Sequence, residues 1–365
     1  MPYILTRYLR RKKNTGSLTA GRRRSRKKIH VALSVPLLAR LQQKHMNFKF
    51  PKLSFSAVTT LEAAVVVLSL SQSLVMGCDI LSPQTQPDLS TIPWGWLTGK
   101  IAFVNQDEGE YASGERIYII DPGDRSVKSV VSSDQTDDFV GAFISPRGDQ
   151  IAYNELSRSS VLDLGSGTLT RSDTTYVIGY TRHNFPVYSS IYGTHEMIIN
   201  GNKVKFAVDA RSNIAFGPGD AYAVYCTPNP SGYIQLVRLD PQDSSYHFIG
   251  ASMLGDTVTA AGNPDISEDG KQIVYTKSFV NVNRGSEIWI INMDGSNDHK
   301  IISGYETSFD YAMWSPDDKH VVCSSTDLEP NYGYGSSNRI MIYSTDLDSL
   351  QQLININGDY TSWTK

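Results

Sequence analysis

The twelve residues AMWSPDDKHVVC at positions 312–323 carry the pattern that predicts the fold of this chain. Two short apolar runs lie on either side of a turn made by Ser315, Pro316 and Asp317. Short apolar strands separated by Pro, Asp and Gly are typical of β-hairpins. The pattern occurs again as AFISPRGDQIAY (142–153), IAFGPGDAYAVY (214–225) and PDISEDGKQIVY (264–275), and GKIAF (99–103) has the second half of a further copy. Such recurrence predicts an architecture built from similar supersecondary units.

Each hairpin is followed by a third strand that ends at an acidic turn. A fourth strand after this turn would complete a small antiparallel sheet that is apolar on both faces. Such a sheet twists and is stable only when it stacks between similar sheets, and radial stacking produces a β-propeller. We therefore predict an all-β fold of four-stranded antiparallel blades. The third strands are RIYIIDPGD (116–124), IQLVRLDPQD (234–243), EIWIINMDGS (287–296) and RIMIYSTDLD (339–348).

The spacing of the turns predicts the number of blades. Gly217, Ser267 and Ser315 follow each other at intervals of about 50 residues, whereas Ser145 and Gly217 are 72 residues apart. The longer interval holds either one blade with an insertion or two short blades. We favour two, which gives six blades, because the interval contains strand candidates at 176–181, 187–192, 196–201 and 202–206.

The segment Asp359–Trp363 resembles the first strand of a repeat whose second strand is missing. The segment 99–103 could supply that second strand. We expect the two to pair, so that the C-terminal strand completes the first blade and removes an open sheet edge.

These repeats resemble the TolB-like propeller repeat, whose unit reads approximately W-S-P-D-G-K-x-I-A-F followed by I-Y-V-M-D-x-D-G. The resemblance covers residues 93–365 and implies a six-bladed propeller. The α/β domain that precedes the propeller in TolB has no room between Cys78 and the first blade, so the resemblance does not imply a role in the Tol-Pal system. The matching residues are Trp314-Ser315-Pro316-Asp317, Asp269-Gly270-Lys271 with Ile273, and Ile288–Gly295.

The charges are distributed unevenly along the chain. It contains 34 Lys and Arg against 37 Asp and Glu. Residues 1–77 hold 15 of the basic residues and a single acid, Glu62, so the rest of the chain has a net charge of −17. Binding to nucleic acid depends on clustered basic residues, and this acidic body excludes nucleic acid as a partner.

The first 92 residues have the pattern of an export signal and a tether. Residues 1–45 form a basic extension, which we interpret as disordered or absent from the native product; a nucleic-acid or nuclear-localisation arm is the alternative. Residues 46–77, with an apolar run at 63–76, have the layout of a signal peptide. They end in Val75-Met76-Gly77-Cys78, which resembles the bacterial lipobox although Met76 is bulkier than usual.

This resemblance implies that Cys78 is lipidated and that residues 78–92 are a tether. The expected location is the bacterial cell envelope, lipid-anchored and facing the periplasm or the exterior. An uncleaved membrane anchor, or an ordinary signal cleaved elsewhere, remains the alternative.

Motifs of catalysis or cofactor binding are missing from the sequence. It contains no G-x-S-x-G, H-E-x-x-H, C-x-x-C, P-loop or Rossmann glycine pattern, so we assign no catalytic residue, no metal ligand and no cofactor. Cys226 and Cys323 are more typical of buried strand thiols than of a disulfide. Histidines on different blades can converge in a propeller channel, which keeps a lyase-like, carbohydrate-active enzyme as the alternative function. These histidines are at 183, 195, 247, 299 and 320.

The starts of the innermost strands carry the candidate binding residues. An acid stands next to an aromatic residue at three equivalent places, and this combination suits a cationic or hydroxyl-rich partner. Simple copying of residues between repeats would explain it equally well. We expect a monomeric, non-catalytic binding or scaffold module for an envelope protein, peptide or glycan. The candidates at the channel mouth are Asp138, Phe139, Asp310, Tyr311, Asp359 and Tyr360.

Overall fold

The computed structural model describes most of the chain from residue 88 to its last residue. The described residues belong to one compact unit, Gln86–Lys365. The basic extension, the signal segment and Cys78 lie outside them, so the predictions for these parts stay predictions. The described ranges are 88–105, 115–133, 139–190, 196–199, 201–205, 213–228, 234–250, 258–279, 285–304, 306–328 and 338–365.

The secondary structure in these ranges is β-strand, with three short 3-10 turns and no α-helix. No helix in the described part of the chain is long and apolar enough to cross a membrane. The first twelve strands are β1 (Ile101–Asn105), β2 (Arg116–Asp121), β3 (Ser126–Ser132), β4 (Phe139–Ile144), β5 (Gln150–Glu155), β6 (Ser159–Asp163), β7 (Leu169–Ser172), β8 (Thr175–Tyr180), β9 (Pro186–Ser190), β10 (Glu196–Ile199), β11 (Asn202–Lys205) and β12 (Ala215–Phe216). The others are β13 (Ala223–Pro228), β14 (Ile234–Leu239), β15 (Tyr246–Phe248), β16 (Val258–Ile266), β17 (Gln272–Phe279), β18 (Glu287–Asn292), β19 (His299–Ile302), β20 (Thr307–Trp314), β21 (His320–Asp327), β22 (Asn338–Ser344), β23 (Ser349–Asn357) and β24 (Asp359–Trp363).

The strands form five sheets. Sheet 1 has the order β24-β1-β2-β3, sheet 2 contains β4–β7, sheet 3 contains β8–β11, and sheet 5 contains β20–β23. Sheet 4 consists of two four-stranded halves, β12–β15 (half 4a) and β16–β19 (half 4b). A single parallel pair, Ile234 with Ala260, joins the two halves. Sheet 3 contains the four strands that the sequence predicts in the long interval.

The C-terminal strand joins the N-terminal sheet. β24 pairs antiparallel with β1, and Ile101 lies opposite Trp363. The indole Nε1–H of Trp363 also donates to the backbone oxygen of Thr98 at 2.7 Å. Strand β1 is therefore bonded on both edges, as the sequence predicts for residues 99–103.

Among the described residues, six hydrophobic clusters lie between successive sheets or halves. The cluster between sheets 1 and 2, for example, contains Val104 and Ile117 from the first and Phe139 and Tyr153 from the second. Another joins the last sheet to the first. Each four-stranded unit thus buries both faces, which explains why its strands read as nearly continuous apolar runs. The remaining clusters lie between sheets 2 and 3, sheet 3 and half 4a, halves 4a and 4b, and half 4b and sheet 5.

The last residues of the predicted tether contact the sheets. Residues 88–92, the end of the predicted tether, pack on sheet 5. The backbone N–H of Asp88 donates to Asn355 at 2.8 Å, and Ile92 is buried in the cluster between sheets 5 and 1. Burial of Ile92 attaches this end of the tether to sheets 5 and 1.

Candidate functional site

A narrow cavity lies between the innermost strands of all the sheets. Its volume is about 60 Å³, which is room for a few water molecules rather than for a drug-sized ligand. We call it the channel. One lining residue from each innermost strand is, in chain order, Ile144, Tyr180, Phe216, Asp265, Met313 and Trp363.

The innermost strands bulge near their starts, at the end of the channel that we call the mouth. The ladder register shifts after Gly262, Asp310 and Asp359. Three residues adopt left-handed backbone there: Asn263 with φ 46°, Tyr311 with φ 53° and Tyr360 with φ 54°. Left-handed backbone is costly for residues other than glycine, and such bulges and strained residues concentrate near binding sites.

Asp310 is held at the mouth by three hydrogen bonds. Its Oδ1 accepts hydrogen bonds from Asn263 Nδ2 at 2.7 Å, from Thr276 Oγ1 at 2.9 Å and from the backbone N–H of Tyr311 at 2.9 Å. Burial raises the pKa of the Asp310 carboxyl, although these hydrogen bonds favour its charged form. The second oxygen, Oδ2, accepts no hydrogen bond from the described residues, so it is the acceptor this group can offer to a ligand.

Tyr311 and Tyr360 form an aromatic pair next to Asp310. Their ring centroids are 4.6 Å apart with the planes tilted by 49°. The pKa of Tyr311 is raised well above its ordinary value. Burial is the largest cause, and the neighbouring Tyr360 is the second. The Thr361 hydroxyl donates to the backbone oxygen of Tyr311 and links the two strands further.

Asp359 and Phe139 are buried and do not form an exposed contact surface. Asp359 is 4% exposed; its Oδ1 accepts from the backbone N–H of Tyr360 at 2.8 Å, and its Oδ2 from Asn338 at 3.4 Å. Phe139 is 1% exposed and shares a hydrophobic cluster with Tyr360, against which Tyr311 packs. Asp138 lies outside the described residues. The structure thus brings five of the six predicted residues to the mouth, and their role in binding stays a prediction.

The opposite end of the channel holds a charged cluster that sequence reasoning missed. The ammonium group of Lys365 lies 2.7 Å from the carboxylate of Asp265 and donates to the backbone oxygens of Ile266 and Trp314, each at 3.1 Å. Arg182 donates to Glu268 at 2.5 Å. No local motif marks these residues, because the repeat register alone brings them together.

The four described histidines, His183, His247, His299 and His320, lie in or next to four different sheets or halves. His320 stacks on Trp96 with a centroid distance of 5.3 Å, and burial lowers its pKa. His183 bonds the carboxylate of Asp220, and His299 bonds the backbone oxygen of Asn297. His195 is not among the described residues. In the described ranges no group of three or more His, Cys, Asp or Glu side chains could hold a metal ion.

Neither cysteine in the described ranges forms a disulfide, and both are buried. Cys226 lies on β13 in half 4a and Cys323 on β21 in sheet 5. Each side chain belongs to a different hydrophobic cluster. This confirms the prediction of strand thiols.

Comparison of the sequence with known proteins identifies no relative of this chain. No protein-family model matches the chain, and no curated protein matches its sequence.

Solved structures resemble the chain in fold. A putative TolB from Agrobacterium tumefaciens is 16% identical with a TM-score of 0.53, over 72% of this chain and 91% of that one. TolB from Acinetobacter baumannii is 17% identical with a TM-score of 0.58, over 73% of this chain and 66% of that one. A chain of the Nidogen/Laminin complex is 10% identical with a TM-score of 0.51, over 72% of this chain and 98% of that one.

At these identities the likeness concerns the fold alone. The fold is an all-β propeller of the TolB-like kind, built from antiparallel four-stranded units. The predicted resemblance to TolB-like repeats is therefore confirmed at the level of the fold. A propeller hosts many unrelated functions, so the function has to be argued from the site.

Proposed function

We propose that the chain is a closed six-bladed propeller whose C-terminal strand completes the first blade. The pairing of β24 with β1 and the cluster between sheets 5 and 1 support closure. A left-handed residue two or three positions before the second strand of every four-stranded unit supports six equivalent units, since the same backbone feature recurs once in each. These residues are Gly99, Gly148, Asn184, Asp220, Gly270 and Asp318.

We further propose that this propeller is a lipid-anchored, non-catalytic binding module of the bacterial cell envelope. Cys78 would carry the lipid, and the residues after it would hold the propeller at the membrane surface. The intact mass of the membrane-extracted protein tests this. A diacylglyceryl-modified Cys78 at the mature N-terminus supports the proposal, and an unmodified chain that retains residues 46–77 contradicts it.

The mouth is the proposed binding surface, and the free oxygen of Asp310 carries the proposal. Asp310 is partly buried, and no cation among the described residues pairs with it. Tyr311 is partly exposed, lies next to Asp310 and offers an aromatic face, while the buried Tyr360 supports its ring from behind. A protein or peptide segment that brings a Lys or Arg side chain would neutralise the acid and pack on the rings. The enzyme hypothesis stays a prediction from sequence.

The substitution Asp310→Asn removes the negative charge of the side chain but keeps its size and shape, so it tests the charge alone. An asparagine can keep its oxygen as the acceptor for Asn263, Thr276 and the Tyr311 N–H, while it removes the negative charge. We expect the full chain with this substitution to lose about 90% or more of a captured envelope partner, since a buried charge pair is worth at least a factor of ten. Capture from envelope extract followed by quantitative mass spectrometry measures the loss.

The matched control is Asp346→Asn, which removes an equal charge from an exposed position on the opposite face. It should leave the captured amount unchanged. Equal loss in both variants would indicate unspecific attraction to the acidic body. Unchanged capture by Asp310→Asn would overturn the mouth as the binding surface.

A further inference from the structure

A second cavity lies away from the channel, between the outer strands of sheets 2 and 3. Its volume is about 190 Å³, three times that of the channel. The pocket lies farther from the channel than the contact between Asn154 and Val177. In that contact, the Asn154 side chain donates to the backbone oxygen of Val177 at 2.6 Å and accepts from the backbone N–H of Val177 at 2.8 Å. We call this second cavity the interblade pocket. It is lined by Ser159, Val161, Thr170, Arg171, Ser172, Thr175, Tyr188 and Ile198.

Several polar groups of this pocket lack partners among the described residues. Arg171 is exposed, and its guanidinium forms no ion pair or hydrogen bond with them, although its backbone pairs with Ser160 in the β6–β7 ladder. Ser159 is 2% exposed, yet its hydroxyl bonds none of them. The hydroxyl groups of Thr170 and Tyr188 are also unbonded within the described ranges. These unbonded groups are the hydrogen-bond donors and acceptors that the pocket offers to a ligand.

The charge of the pocket is opposite to that of the propeller. Among the described lining residues, Arg171 is the only charged one and none is a carboxylate. Two of the lining residues, Val161 and Ile198, are aliphatic, and the Tyr188 ring packs against the adjacent hydrophobic cluster. A positive group, several free hydroxyls and an apolar wall are the complementary chemistry for a small anion that also carries hydroxyl groups.

We propose that the interblade pocket binds an anionic monosaccharide, either a sugar acid or a sugar phosphate. Arg171 contacts the anionic group, and the hydroxyls of Ser159, Thr170 and Tyr188 bond the sugar hydroxyls. The volume fits one ring, because sites for drug-sized ligands measure about 300–1,000 Å³. This site is separate from the mouth and does not depend on the proposed partner there.

Equilibrium dialysis of the full chain in detergent tests the proposal with four labelled probes: glucuronate, glucose 6-phosphate, neutral glucose and inorganic phosphate. We expect glucuronate or glucose 6-phosphate to bind with a dissociation constant of about 1 mM or tighter. The tighter of these two identifies the anionic group. Glucose and phosphate should each bind at least about tenfold more weakly, because each lacks half of the recognised chemistry.

Variants assign the binding to this pocket. Arg171→Gln should weaken binding of the anionic sugar by about 10- to 100-fold, because it removes a charge-assisted contact. Tyr188→Phe should weaken it by about 2- to 10-fold through one hydroxyl. Arg147→Gln is the control, since Arg147 is an exposed arginine in a turn of the same sheet.

Three results would overturn the proposal. The first is absence of binding by both anionic sugars to the folded chain. The second is inorganic phosphate binding as tightly as the sugars, which would indicate an adventitious anion site. The third is unchanged sugar binding by Arg171→Gln. The exposed position of Arg171 keeps its variant folded, and a thermal melt of each variant confirms this.

Discussion

The two ends of the innermost strands differ in how neighbouring sheets are joined. At the turn end, side chains accept backbone N–H groups from the adjacent sheet. Asp318 accepts from the backbone N–H groups of Glu268 at 2.6 Å and Asp269 at 3.1 Å, and Asn184 accepts from that of Arg147 at 3.0 Å. These contacts recur between several pairs of sheets and fix the spacing of the units.

At the mouth, the same strands are joined by side chains around bulged and left-handed backbone. The turn between β20 and β21 has five residues, 315–319, whereas the connection between β21 and β22 has ten, 328–337. Short bonded turns favour stability, while bulges and strained residues are retained where they position a site. On the proposed function, the turn end contributes stability and the mouth contributes recognition.

The largest effect is expected from Asp265→Asn at the turn end of the channel. The buried carboxylate pairs with Lys365 and accepts from the backbone N–H of Trp314 at 2.8 Å. Its loss leaves the Lys365 ammonium buried without a counter-charge, which costs about 3–5 kcal/mol of unfolding free energy. Urea denaturation measures the cost. A loss below about 0.5 kcal/mol, the range of an ordinary surface substitution such as Asp346→Asn, would contradict this role.

A smaller loss is expected from Asp318→Asn in the turn contact. Asparagine tolerates the left-handed backbone but keeps only one acceptor oxygen for the two N–H groups of half 4b. We expect a loss of about 1 kcal/mol, reduced from the full value of a charged hydrogen bond by partial exposure. The same denaturation experiment measures it, and the mouth should keep its partner. Loss of the partner without loss of stability would reverse the proposed division between the two ends.

The smallest change, and one of opposite sign, is expected from Asp310→Asn. Burial raises the pKa of Asp310 above its ordinary value of 3.8. The folded chain therefore binds this proton more tightly than the unfolded chain, so stability falls as the pH rises from below 3.8 through the folded pKa. Asp310→Asn should thus be more stable than the parent at neutral pH and equal to it below about pH 3. A variant that is less stable at pH 7 would show that the charge supports the fold.

Sequence periodicity predicts the repeated units well, since each unit depends on local strands and turns. The turn Ser315–Asp318 and its copies mark the hairpins, and the strands of sheet 3 were found despite their irregular spacing. The pairing of 359–363 with 99–103 could be predicted because each segment supplies the strand that the other lacks. These features depend on patterns within a few residues.

The sites are less predictable, because they depend on contacts between units. Repeat alignment places Asp310 and Asp359 at one end of the channel, but it cannot show that Asp359 and Phe139 are buried there. Asp265 and Lys365 are 100 positions apart, and no local signal links them. The interblade pocket likewise combines strands β6 to β10, whose individual residues resemble ordinary polar strand positions.

The channel and both of its ends depend on ring closure, because they exist only if the last strand returns to the first sheet. Ala102 lies directly opposite Ser362 in the β1–β24 ladder. A chain with Ala102→Cys and Ser362→Cys should form an internal disulfide under mild oxidation, since opposite residues in antiparallel strands have adjacent side chains. Peptide mass spectrometry would detect the linked segments, while the control pair Ala102→Cys with Ser349→Cys should stay reduced. A folded variant whose positions 102 and 362 do not link, or a control pair that links equally well, would contradict the closed ring.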